Sequence, residues 1–236
     1  MATTTSAVAF RASVPVRMRQ ALFGPPCRGR VLARFPSAVY VAVPYAFGVI
    51  AVLGRDAVRL PCGLAVSATN LDLPGDVVVG GGALRFGRTV IRPGRVMSAH
   101  VERRPAPLRA RVRAARAAVD PADLTQPGRL LGRGAGLTPQ GDDVLAGYLA
   151  GAAAYGVPAD DVRVVVDNEA ASRTTTLSAA LLRHAAAGEA IPQVGGLLDA
   201  LGGRRPLDPA LADLFAVGHT SGAALASGVV AAAVAA

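Results

Sequence analysis

The period of the apolar positions changes near residue 100. From Val31 to Met97, Val, Ile, Leu and Gly gather in short runs ("AVYVAV", "FGVIAVLG", "DVVVGGGALRFG", "RTVIRPG"), each bounded by Pro or Gly. This is strand spacing, and it predicts a compact antiparallel sheet or small barrel of roughly six to eight strands. After "ERRPAP", Leu108, Val112, Ala115 and Val119 fall on one face of a helix whose other face is arginine. From there to Ala236 the text is helical, in the runs "VLAGYLAGAAAYG", "LSAALLRHAAAGEA", "LADLFAVG" and "SGAALASGVVAAAVAA". Only "VRVVV" at 162–166 leaves strand and buried helix both open. The expected class is α+β: a β-rich region over 31–106, then a helical region over 107–236 with glycine-rich helix N-termini.

The first thirty residues, "MATTTSAVAFRASVPVRMRQALFGPPCRGR", carry five arginines and no acid. They superficially resemble a transit peptide and are read as a disordered leader. The longest apolar candidates, Val39 to Leu53 and Ala223 to Ala236, fall short of the ~20 residues a spanning helix needs, so no membrane partner is expected.

All 25 basic residues are arginine, 18 of them in residues 1–119 against four acids, while residues 120–236 hold seven against twelve. A basic half suits anionic partners. Nucleic acid is not among those expected, because aromatics are only 4% of the chain and the arginines are scattered through strand-like segments. Cys27 and Cys62 form neither a zinc spacing nor a disulfide framework, which points to a reducing, cytoplasmic setting.

Chemistry concentrates in residues 132–147, "GRGAGLTPQGDDVLAG". Gly134, Gly136 and Gly141 let backbone approach a ligand, and Thr138-Pro139 marks a helix entry. A phosphate loop would carry Lys where this chain has Asp142, so a nucleotide loop is excluded. Two further helix starts share the chemistry: "SRTTTLSAALL" offers Arg173, Thr174 and Thr175, and "GHTSGAALASG" offers His219, Thr220 and Ser221. Three such starts predict one shared pocket for a small anion, phosphate included. Asp142 and Asp143 diverge by about 100° around the helix, so one is assigned to a hydrated Mg²⁺ or a ligand amide and the other to anchoring. Simple complementation of the positive helix end is the competing reading for both. His219, directly before a Thr-Ser-Gly cap, is the candidate proton or hydrogen-bond donor; His100 and His184 are read as surface or packing residues.

"GLTPQGDDVLAG", "RTTTLSAALLRHAAAGE" and "AVGHTSGAALASG", in this order, resemble the family that contains the AllH-type subunit of oxamate carbamoyltransferase, over about residues 30–236. The resemblance implies a role in allantoin and purine catabolism. There the subunit acts with two unlike protein partners to convert oxalurate and phosphate into oxamate and carbamoyl phosphate. Under the enzyme reading Asp142, Asp143 and His219 are the expected catalytic residues. Arg133, Ala135 and Gln140 depart from the family's loop, which puts ligand preference in question. The alternative is a non-catalytic partner, or a small-anion-binding regulatory subunit of a related acyl- or carbamoyl-transfer complex. In it the glycine loop packs against another chain; under either reading Gly147 and Gly151, one turn apart, allow close helix contact.

Overall fold

Valine-rich runs of four to nine residues cannot bury both faces alone, and in the computed structural model they close on themselves. The structure describes residues 8–45 and 48–236, and the chain divides into two compact units, Met1–Ser98 and Ala99–Ala236.

The first unit is a closed barrel of β1 (Ala9–Pro15), β2 (Cys27–Phe35), β3 (Ala38–Ala42), β4 (Val49–Leu53), β5 (Gly63–Ala65), β6 (Val77–Gly80), β7 (Ala83–Phe86) and β8 (Thr89–Met97), with α1 (Val16–Phe23) after β1. Around the barrel the order is β1-β5-β4-β3-β2-β6-β7-β8. Closure leaves no unpaired edge. All five residues of β4 are buried, and Phe86, Ile50, Leu53, Leu64, Leu84 and Ile91 fill the interior.

Two expectations are corrected here. The sheet is mixed: β4 pairs parallel with β5, and β1 parallel with β8, while the other pairings are antiparallel. From residue 9 the expected leader is ordered as β1, which runs along β8, then α1 and the start of β2, with Val14 of β1 and Leu22 of α1 fully buried. Residues 1–7 of that expected leader, and Ala46 and Phe47, lie outside the described residues.

The second unit begins with an extended segment held by backbone bonds: Val101 N donates to Gly188 O, Arg104 N to Ala154 O and Leu108 N to Leu201 O. Its helices are α2 (Arg109–Ala118), α3 (Gln140–Tyr155), α4 (Asp160–Arg173), α5 (Thr176–Ala186), α6 (Pro192–Leu201), α7 (Leu207–Phe215) and α8 (Ser221–Ala235). The "VRVVV" run is the start of α4. Val162 and Val166, four apart, are buried while Val164 between them is exposed, which is helical and not strand periodicity. Val162 and Val166 join Leu131, Leu145, Leu149 and Leu182 in the core.

α3 and α8 pack closely, and glycines permit it. A Cβ on Gly147 would sit 2.1 Å from Leu225 O, and one on Gly228 2.0 Å from Val144 O. Gly151 faces Ala232 in the same seam. The helix contact expected of Gly147 and Gly151 is thus made within this unit. No helix among the described residues is long and apolar enough to cross a membrane.

Candidate functional site

The three helix starts meet through side-chain hydrogen bonds, although they are spread over more than 80 residues of sequence. Asp142, in the first turn of α3, is the hub of one half. It is 1% exposed; its Oδ1 accepts from Gly132 N at 2.7 Å, and its Oδ2 accepts from Ser178 Oγ at 2.6 Å and from Thr174 Oγ1. Thr175 caps α5, its hydroxyl accepting from Ser178 N at 3.0 Å and donating to Leu137 O at 2.5 Å. The carboxylate therefore ties the glycine loop, α3 and α5 together with three donors on two oxygens.

Asp143 has a different environment. It is 8% exposed, the hydroxyls of Ser221 and Thr138 lie near enough to its carboxyl to favour the charged form, and its buried Oδ2 meets no protein hydrogen-bond partner. Thr138 Oγ1 and Ser221 Oγ are themselves 3.2 Å apart, joining the entry of α3 to the start of α8. Burial is the largest influence on this carboxyl and raises its pKa from 3.8 to about 6; the Ser221 and Thr138 hydroxyls pull it down, and the neighbouring Asp142 charge pushes it up. The two carboxylates diverge as helical rotation requires, one saturated and one open.

The glycine loop is shaped for its own helix. Gly132, Gly134 and Gly136 have φ of 74°, 119° and 93°, a region that side chains with a Cβ rarely adopt. Gly141 N donates to Arg133 O, and Asp142 N and Asp143 N to Pro139 O, so these first-turn donors of α3 are engaged. The close approach expected at Gly141 is to backbone: a Cβ there would lie 2.0 Å from Leu130 O. A Cβ on Gly134 would lie 2.7 Å from Gln140 N, whereas around Gly136 there is open space. Anion binding on the α3 N–H groups of Gly141, Asp142 and Asp143, which the glycine content suggested, is pre-empted by these internal bonds.

Arg173 is engaged as well, with Glu169 one turn back and Gly128 O at 2.8 Å, in the manner of a strap across the loop. At the third start Thr220 makes no side-chain cap bond, Gly218 has φ of 61°, and His219 and Thr220 are exposed. His184, expected on a surface or in packing, is fully buried with Nδ1 2.6 Å from Glu189 Oε2.

Of the two aspartates, Asp143 alone keeps a carboxylate oxygen that no protein group bonds. Both Asp142 oxygens already accept protein donors, Asp143 supplies a single carboxylate, and no three His, Cys, Asp or Glu side chains converge among the described residues. Ser178, which completes the Asp142 hub, had no signal in the sequence beyond its place in the first turn of a capped helix.

The Asp143 carboxyl makes stability depend on pH. Between pH 3.8 and about 6 the native carboxyl keeps a proton that the unfolded one has lost, so stability falls as pH rises through that window. Asp143→Asn is therefore expected to stabilise the chain at pH 7.5 by on the order of 2 kcal/mol, and the gain should vanish below about pH 4. Thermal or urea unfolding at the two pH values measures it, and an equal effect at both would remove the argument.

No curated protein sequence and no solved structure matches this chain. Residues 130–233, from just before the glycine loop to the last turns of α8 and including all three helix starts, match the family of oxamate carbamoyltransferase subunit AllH.

Proposed function

We propose that this chain is a subunit of an oxamate carbamoyltransferase-like complex and that its site lies at Asp143, Thr138 and Ser221. One observation supports the reading most: a buried carboxyl in the first turn of α3 with an oxygen that no protein group bonds, near two hydroxyls and the uncapped start of α8, inside the segment that the family covers. In the reaction a phosphate oxygen bonds the carbamoyl carbon of oxalurate, the bond from that carbon to the oxamate nitrogen breaks, and the proton of phosphate passes to that nitrogen. Oxamate and oxalurate carry both amide N–H donors and a carboxylate. The carboxylate suits a protonated Asp143 carboxyl, the Thr138 and Ser221 hydroxyls and the positive end of α8. His219, exposed two residues before Ser221, is the proton carrier for the leaving nitrogen.

An anion arriving beside Asp143 raises that carboxyl's pKa further. Binding then takes up a proton, and affinity is greater at pH 6 than at pH 8.

The chain has no nucleophile poised against a base within this cluster, and holding two anionic reactants in line is worth up to roughly 7 to 11 kcal/mol. The second reactant is gripped by the two unlike partner subunits. Oxalurate phosphorolysis is accordingly expected only when the chain is mixed with both partners, and it should be lost with His219→Ala. Full turnover by the chain alone would overturn this division of labour. The accessory-subunit reading draws on the engaged donors of α3; a chain that binds its partners but neither oxamate nor carbamoyl phosphate would establish it instead.

A further inference from the structure

We propose a second anion site in the barrel unit, unrelated to the glycine-loop cluster and outside the segment the family covers: a cleft lined by Arg11, Arg55, Arg59 and Arg95 that takes a small polyanion. The sequence places these residues far apart, and the barrel gathers them. β1 lies between β5 and β8, so Arg11 and Ser13 of β1 are flanked by Arg95 of β8 on one side and by Ala65, Val66 and Ser67 on the other; Arg55 and Arg59 come from the β4–β5 connection. Together they line a cavity of about 390 Å³, within the range of small-molecule sites.

A bulge sets the geometry. Ala12 pairs with Pro93 and Ser13 with Arg95, so Gly94 is the extra residue of β8. A Cβ on Gly94 would come 3.2 Å from the Arg11 Cβ, so the absent side chain keeps the two strands close where the arginines converge.

Charge carries the argument furthest. Among the described residues no carboxylate lines the cleft and no ion pair involves any of the four guanidiniums. Two of them are held from behind by backbone: Arg11 Nη1 donates to Pro93 O at 3.4 Å and Arg59 Nη2 to Arg55 O at 3.3 Å. Four unneutralised cations around one concavity repel one another, and an oxyanion relieves that repulsion while accepting their forked donors. Ser13 and Ser67 add neutral donors. The number of arginines calls for a ligand with at least two anionic groups, a phosphate ester or a polycarboxylate. A nucleic-acid strand is disfavoured, because among the described residues no aromatic side chain lines the cleft to stack on a base.

The test is isothermal titration of the full chain with pyrophosphate and, separately, citrate at low ionic strength. Saturable binding of either supports the site, and the better ligand names the anion. Arg59→Gln and Arg95→Gln, each checked for folding by circular dichroism, should each weaken that binding about tenfold. Arg88→Gln, in the exposed β7–β8 turn and not in the cleft, should leave it unchanged. Absence of saturable heat for both ligands, equal loss with Arg88→Gln, or DNA duplex binding that pyrophosphate cannot displace would each overturn the proposal.

Discussion

Gly147→Ala is expected to destabilise the helical unit by on the order of 3 kcal/mol, a large fraction of the stability of an ordinary domain. The added methyl would lie 2.1 Å from the Leu225 carbonyl oxygen, which is helix backbone and cannot swing aside as a side chain can. α3 and α8 must therefore separate along their whole seam, opening the packing that Gly151 and Gly228 share. Gly195→Ala is the matched control. It also sits inside a helix, α6, but nothing lies within 4 Å of its would-be Cβ. There the change should stabilise by about 0.5–1 kcal/mol through lower chain entropy. Urea unfolding followed by far-ultraviolet circular dichroism reads both signs. Similar effects for the two substitutions would show that the α3–α8 approach is not what requires glycine.

Asp142→Ala carries the second large effect. It removes the acceptor shared by Gly132 N, Thr174 and Ser178, and strands three donors at a position only 1% exposed. Losing charge-assisted bonds and leaving their partners unsatisfied is expected to cost on the order of 3 kcal/mol or more. Asp142→Asn should cost less, because the two hydroxyls can turn and accept from the amide. Hydrogen exchange gives the local readout: the Gly132 amide should lose protection in Asp142→Ala while amides in the middle of α3 follow only the global change. Unchanged protection at Gly132 would mean that the carboxylate does not pin the loop.

These two residues show what was legible in the sequence. The three helix starts could be read because caps, Thr-Pro steps and glycine runs are local signals. The separation of Asp142 from Asp143 followed from helix geometry alone, but which of them is saturated depends on Thr174 and Ser178, more than thirty residues away. The barrel strands of the β-rich region were legible as apolar runs bounded by turns. β1 was not, because "AFRASVP" has no such pattern and becomes a strand only by pairing with β8 about eighty residues later. The parallel pairings were hidden for the same reason, since periodicity within a strand carries no record of its neighbour's direction. Likewise, glycine content suggested a ligand cradle over α3, whereas the N–H groups of Gly141, Asp142 and Asp143 are spent on Arg133 O and Pro139 O.

The proposed function puts an anionic carbamoyl ligand beside the Asp143 carboxyl, whose buried Oδ2 has no protein partner. It is tested most directly by the dissociation constant of oxamate for the purified chain at pH 6 and pH 8, in the natural sequence and in Asp143→Asn. Because the free carboxyl has a pKa of about 6 and a bound anion raises it, the account predicts several-fold to about tenfold tighter binding at pH 6, with that pH dependence abolished by Asp143→Asn. Affinity that does not change with pH, or a pH dependence that survives Asp143→Asn and so belongs to another group such as His219, would contradict it.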